Sequence, residues 1–157
     1  MTERSVTHAT FTIERSYPAT PARVFAAFAT AQAKARWTDS PDVQPGGGPK
    51  EFDFRVGGRE RFSAKVPDGP TYGYDALYYD IVPDQRIVYC YEMYADDARI
   101  SVSIATIELV KDAVGTQLTY TEQGAFLDGL DLPEYREHGT AEQFDNLAGE
   151  LRSQSAD

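Results

Sequence analysis

Apolar and polar residues alternate over 9–17, where Phe11 and Ile13 are set against Thr10, Thr12 and Glu14, and a period of two predicts a strand. The period then changes. Val24, Phe25, Phe28 and Ala29 follow at helical spacing behind Thr20, a good N-cap, and Pro21, a good first helical residue. A second short helix over 31–36 ends at Trp37, and the Pro- and Gly-rich residues 40–49 read as loop. Six more strands are expected at 51–56, 59–66, 71–82, 86–95, 99–110 and 116–126. Gly57-Gly58, Pro67-Asp68-Gly69-Pro70, Pro83-Asp84, Asp96-Asp97 and residues 111–115 divide them. A loop at 127–132 leads to Pro133 and a long closing helix. There Phe144, Leu147, Ala148 and Leu151 recur at helical spacing, with Arg136 or Thr140 on the same face further back. Residues 153–157 are polar and expected to fray.

One economical packing satisfies this order. An α+β fold results, in which a curved sheet of seven antiparallel strands grips the long C-terminal helix while two short helices brace one end. The chain reads as one domain over 1–157. One helix cannot fill so long a sheet, so a void or ligand space is expected at the wide end.

Composition narrows the function. The net charge of −10 argues against nucleic acid, whose phosphates need clustered Lys and Arg, and against anionic membranes. No apolar run approaches a membrane span, and the first residues, Met1-Thr2-Glu3-Arg4-Ser5, lack the apolar core of a signal peptide. Cys90 is the lone cysteine, so no internal disulfide can form, and a cytoplasmic location is expected. Tyrosine crowds the centre of the chain, and its apolar ring with a polar tip suits the wall of a mixed-polarity pocket.

Candidate chemistry is sparse. If Leu118 and Tyr120 face the helix, period two aims Glu122 the same way. A carboxylate facing a partly apolar cavity has its charged form disfavoured, and could act as a general base or hold a ligand amine; the alternative is a rim carboxylate in water or paired with Arg136. Tyr74, Tyr78, Tyr89 and Tyr91 could line the pocket or simply pair across the sheet. If Ile87 faces inward, so do Tyr89, Tyr91 and Met93, while the adjacent Tyr78 and Tyr79 must point opposite ways unless a bulge intervenes. Trp37 either borders the cavity mouth or plugs the packing. Cys90, in a strand, reads as core rather than nucleophile. His8 and His138 are the only histidines and no spacing fits a metal, so neither metal nor cofactor is implied. The glycine clusters at Gly46-Gly47-Gly48 and Gly57-Gly58 lack the strand, spacing and Lys of a phosphate loop.

Six segments in order carry a family resemblance. They are Pro18-Ala19-Thr20-Pro21-Ala22-Arg23-Val24-Phe25, Ala35-Arg36-Trp37, Val56-Gly57-Gly58, Asp80-Ile81-Val82-Pro83-Asp84-Gln85-Arg86-Ile87, Gly115-Thr116-Gln117-Leu118-Thr119 and Asp145-Asn146-Leu147. Across residues 7–151 the chain resembles the bacterial relatives of the activator of heat-shock chaperone ATPase. These sit within the helix-grip superfamily that also holds the birch pollen allergen, START lipid-transfer domains and polyketide cyclases (SRPBCC). The family often carries Gly-Trp where this chain has Gly139-Thr140, and loss of that indole implies a larger cavity beside Thr140. The eukaryotic co-chaperone has an extra N-terminal chaperone-binding domain to which nothing here corresponds.

Three functions follow as expectations. The first is a small ligand-binding protein holding a mainly hydrophobic or amphipathic molecule between sheet and helix, with Trp37, Tyr74, Tyr78, Tyr89, Tyr91, Met93, Glu122, Thr140 and Phe144 as candidate contacts. The second is a cyclase- or hydrolase-type enzyme with Glu122 as base and a cavity Tyr as acid. It requires Glu122 to lie within hydrogen-bond reach of that Tyr. The third is a co-chaperone-like activator of a heat-shock chaperone ATPase, which requires an exposed docking surface. The resemblance also implies a possible homodimer.

Overall fold

In the computed structural model, residues 3–153 are described; of the tail expected to fray over 153–157, Ser153 instead closes the last helix and residues 154–157 lie outside the described residues. The chain runs β1 (Val6–Tyr17), α1 (Pro21–Ala29), α2 (Ala31–Thr38), β2 (Gln44–Pro45), β3 (Glu51–Phe52), β4 (Arg59–Lys65), β5 (Thr71–Val82), β6 (Arg86–Ala95), β7 (Ala98–Lys111), β8 (Thr116–Leu127) and α3 (Pro133–Ser153). The strands form one antiparallel sheet in the order β1-β8-β7-β6-β5-β4-β2, with β3 also paired to β4. The first strand therefore closes against the last, and the helices after β1 cap the same end of the sheet that α3 packs on.

Local chemistry explains the boundaries. The Thr20 hydroxyl accepts the Arg23 amide at 3.1 Å and Pro21 opens α1. Thr30 does the same for α2, accepting the Ala33 amide at 3.1 Å, and α2 runs through Trp37 to Thr38 rather than stopping at 36. Asp68, Asp84 and Asp96 take the left-handed conformation at three of the expected turns, a conformation a short polar side chain tolerates. Two details differ from the expected seven strands. Strand β2 lies inside the stretch read as loop, where Gln44 and Pro45 pair with Lys65 and Ala64. The strand expected over 51–56 is only two residues long. From Asp53 the chain turns, and a Cβ at Gly58 would lie 2.1 Å from the Asp53 carbonyl oxygen, so only glycine fits.

Period two sets the faces of the sheet. Along β8, Thr116, Leu118, Tyr120, Glu122 and Phe126 all point to the helix side and are buried. Along β7 it is Ser101, Ser103, Ala105, Ile107 and Leu109, while Val102 and Ile104 face out and stay exposed. A bulge between Tyr78 and Asp80 leaves Tyr78 inside and Tyr79 exposed, so the two point opposite ways. On α3 the buried stripe is Phe144, Leu147 and Leu151. A Cβ at Gly115 would meet backbone atoms of Tyr17 and Ala19 at 2.5–2.7 Å, which is why the Gly-Thr entry to β8 admits no side chain where β1 leaves the sheet.

Candidate functional site

The concave side is packed shut where α1 and α2 meet α3. There Trp37 from α2 donates its indole N–H to the Ala27 carbonyl at 3.0 Å. It meets Phe28 edge-on and stacks on Phe144, while Phe144 in turn meets Tyr120. The Tyr17 hydroxyl donates to the Phe144 carbonyl at 2.9 Å, and α3 packs on β1, α1 and α2. Trp37 is 4% exposed and Phe144 3%, so both belong to a sealed floor.

Above that floor the aromatic wall of β5 and β6 is not fully covered. Tyr78 and Tyr91 are buried. Tyr74, Tyr89 and Met93 share the inward parity of Ala76 and Ile87 yet remain partly exposed. The rings form a continuous chain: Tyr78 to Tyr89 at 5.8 Å, Tyr89 to Tyr91 at 5.9 Å and Tyr91 to Tyr74 at 5.1 Å between centroids, with Phe62 stacked on Tyr74. Burial pushes the Tyr74, Tyr89 and Tyr91 hydroxyls well above the ordinary tyrosine range. On α3, Arg136, Thr140 and Phe144 form one i, i+4, i+8 row. Arg136 reaches Tyr91 of β6 and Phe144 meets Tyr120 of β8; Thr140 lies between them on the row, its hydroxyl donating to the Arg136 carbonyl at 2.8 Å, and it and Ala141 are half-buried. The fully buried apolar side chains of α3 begin at Phe144, preceded by the half-buried Ala141.

Glu122 is fully buried and saturated. Its Oε1 accepts from the Tyr91 hydroxyl at 2.7 Å and the Tyr120 hydroxyl at 2.6 Å, and its Oε2 from Ser103 at 2.7 Å and Arg136 at 3.3 Å. Arg136 also donates to the Tyr91 hydroxyl at 2.9 Å, Ser101 at 2.8 Å and Asp131 at 2.6 Å, and its guanidinium lies over the rings of Tyr91 and Phe126. Burial alone would lower the guanidinium's pKa, but Tyr91, Glu122 and Asp131 outweigh it and raise it. Both pairings foreseen for Glu122, an inward carboxylate beside a Tyr and a partner to Arg136, thus occur together. The surroundings are polar donors rather than the partly apolar cavity expected. Ser101, Ser103 and Asp131 were not anticipated, and Tyr120 was expected to face inward but not named as a site residue; the inward parity of β7 carries the signal for the two serines.

A second buried pair was also missed. Lys34 Nζ lies 2.6 Å from Glu60 Oε1, which also accepts the Tyr78 hydroxyl at 2.8 Å, and Lys34 Nζ sits 6.0 Å from the ring centres of both Tyr74 and Tyr89. The signal was its place three residues before Trp37, on the same face of α2.

Cys90 faces outward, contrary to its reading as core. It borders two shallow grooves on the convex face, of about 550 and 230 Å³, with Val102 on both. Burial raises its thiol pKa. Exposed His138 pairs with Glu142 one turn along, and among the described residues no group of three or more His, Cys, Asp or Glu could hold a metal. No helix among them is long and apolar enough to cross a membrane.

The sequence model of the family described as "Activator of Hsp90 ATPase homolog 1-like protein" matches residues 18–152. No curated protein matches the chain. Among solved structures, the Mll3558 protein of Rhizobium loti is 49% identical with a TM-score of 0.85, over 94% of this chain and 99% of that one. An uncharacterised protein of Rhizobium leguminosarum is 40% identical with a TM-score of 0.86, over 98% and 100%. Protein CV1439 of Chromobacterium violaceum is 27% identical with a TM-score of 0.74, over 89% and 94%.

Proposed function

The chain belongs to the Activator of Hsp90 ATPase homolog 1-like family, and from that premise and the geometry of its concave face we propose that it binds a small, mainly hydrophobic molecule between the sheet and α3. One observation carries the reading. Tyr74, Tyr89 and Met93 face inward but remain accessible, because the first half of α3 lacks the buried apolar side chains that seal its second half. Stacked rings with polar tips give a flat ligand both contact area and hydrogen bonds. The fold is also compatible with the activator role in the family's description; the accessible aromatic wall favours the binding role.

The enzyme reading has its geometric condition met, since Tyr91 and Tyr120 both reach Glu122. Yet all four of the carboxylate's partners are in place and it is 0% exposed, so no lone pair is left to take a substrate proton. Glu122 serves this reading better as the post on which Arg136 and α3 are fixed.

The test is fluorescence of the neutral dye phenylnaphthylamine. The parent should bind it, and Thr140→Trp, which adds an indole between Arg136 and Phe144 on α3, should bind it at least about tenfold more weakly, as expected when burial of several apolar groups is lost. A variant that binds as well as the parent would remove Thr140 and the concave face from the reading.

A further inference from the structure

Among the described residues the Lys34 ammonium is a cation beside the inner aromatic wall with donors to spare. Arg136 is engaged by Tyr91, Ser101, Glu122 and Asp131. Lys34 has a single hydrogen bond among the described residues, to Glu60, whereas an ammonium carries three donors. Its side chain is the more exposed of the pair, 16% against 7% for Glu60. The Glu60 carboxylate lies behind it, held also by the Tyr78 hydroxyl. What the pair presents toward the accessible rings of Tyr74 and Tyr89 is therefore positive charge with spare N–H groups.

We infer that Lys34 is the polar anchor of the cleft and that the molecule held there is an amphipathic carboxylic acid, its acid group on the Lys34 ammonium and its apolar body against Tyr74 and Tyr89. This rests on the binding role proposed above and adds the chemical class of the ligand. A carboxylate on an ammonium in a partly dehydrated site forms a charge-assisted hydrogen bond, the strong kind. The apolar wall supplies the rest of the contact.

The experiment uses phenylnaphthylamine as a neutral reporter and displaces it with naphthoate or with naphthamide, its uncharged isostere. In the parent, naphthoate should compete about tenfold more strongly than naphthamide, the worth of one charge-assisted bond. In Lys34→Met that preference should vanish while the reporter still binds. Because Lys34→Met strands the buried Glu60 carboxylate, the double variant Lys34→Met/Glu60→Gln is measured beside it and should also show no preference. A parent without preference for naphthoate, or a preference that survives in the double variant, overturns the inference and leaves the binding role standing. A parent that does not bind the reporter overturns the binding role and the inference with it.

Discussion

Replacing Arg136 with Met keeps the length of the side chain and removes the hydrogen bonds and ion pair that tie the start of α3 to the sheet. The guanidinium is 11% exposed and gives up bonds to Tyr91, Ser101, Glu122 and Asp131. Removing one member of a buried ion pair costs about 3–5 kcal/mol, because the other charge is left uncompensated. Two features put this case at the lower end, about 3 kcal/mol. The Arg136–Glu122 contact is long, at 3.3 Å, and Glu122 keeps three hydroxyl donors from Tyr91, Tyr120 and Ser103. Asp131, at 16% exposure, also regains water. For a domain of this size the loss corresponds to a fall in Tm of roughly 6–12 °C. Urea unfolding of Arg136→Met, Glu122→Gln and the double variant measures it. The double variant should lose less than the sum by about 1 kcal/mol or more, since the stranded charge is gone. Hydrogen exchange in Arg136→Met should rise over residues 133–143 and stay protected around Leu147 and Leu151. Parent-like stability, or strict additivity with unchanged exchange in α3, would refute the assignment of Arg136 as the fastening.

Phe144→Ala empties the sealed floor between Trp37 and Tyr120 and should cost about 3–5 kcal/mol in urea unfolding. Gly115→Ala drives a Cβ into backbone atoms of Tyr17 and Ala19 and should cost about 1–3 kcal/mol, with the thermal midpoint as the readout. Burial first raises the Tyr91 and Tyr120 hydroxyls well above their ordinary 10.0, helped at Tyr91 by Glu122 against the opposing Arg136 and at Tyr120 by Tyr89, Tyr91 and Glu122, so the folded state keeps protons that the unfolded state loses above that pH. The stability this contributes is therefore complete below pH 10.0 and is lost as the pH rises toward the folded-state values. Near-ultraviolet absorbance of tyrosinate should show these residues ionising together with unfolding, and ionisation in a folded protein at an ordinary pKa would contradict it.

How much of this could be read in the sequence depended on periodicity. The alternation of Leu118, Tyr120 and Glu122 aims the carboxylate inward without help from any other strand, and the stripe Phe144, Leu147 and Leu151 gives α3 its buried face. The same parity argument, applied to β6, sends Cys90 outward once Tyr89 and Tyr91 are inside; its apolar character alone says nothing about its face. The polar shell escaped for a physical reason. Ser101 and Ser103 look like outward residues because they are polar, and only the burial of Glu122 makes inward hydroxyls necessary. Lys34 and Glu60 escaped because each, alone, has the appearance of a solvated charge, and their pairing joins α2 to β4 across the fold. The two-residue strand β2 has too few residues for any period to show.

The central claim is that a ligand lies against the inner face of β5 and β6 beneath the first half of α3. The chain has two methionines, Met1 and Met93, and Met93 stands on that inner face, so the methyl spectrum of the methionines by NMR reports on it directly. Phenylnaphthylamine added to the full chain should shift the Met93 methyl signal through its ring currents, in proportion to saturation, and Thr140→Trp should abolish the shift. A Met93 methyl that stays in place while the dye binds would put the ligand elsewhere on the molecule and contradict the account.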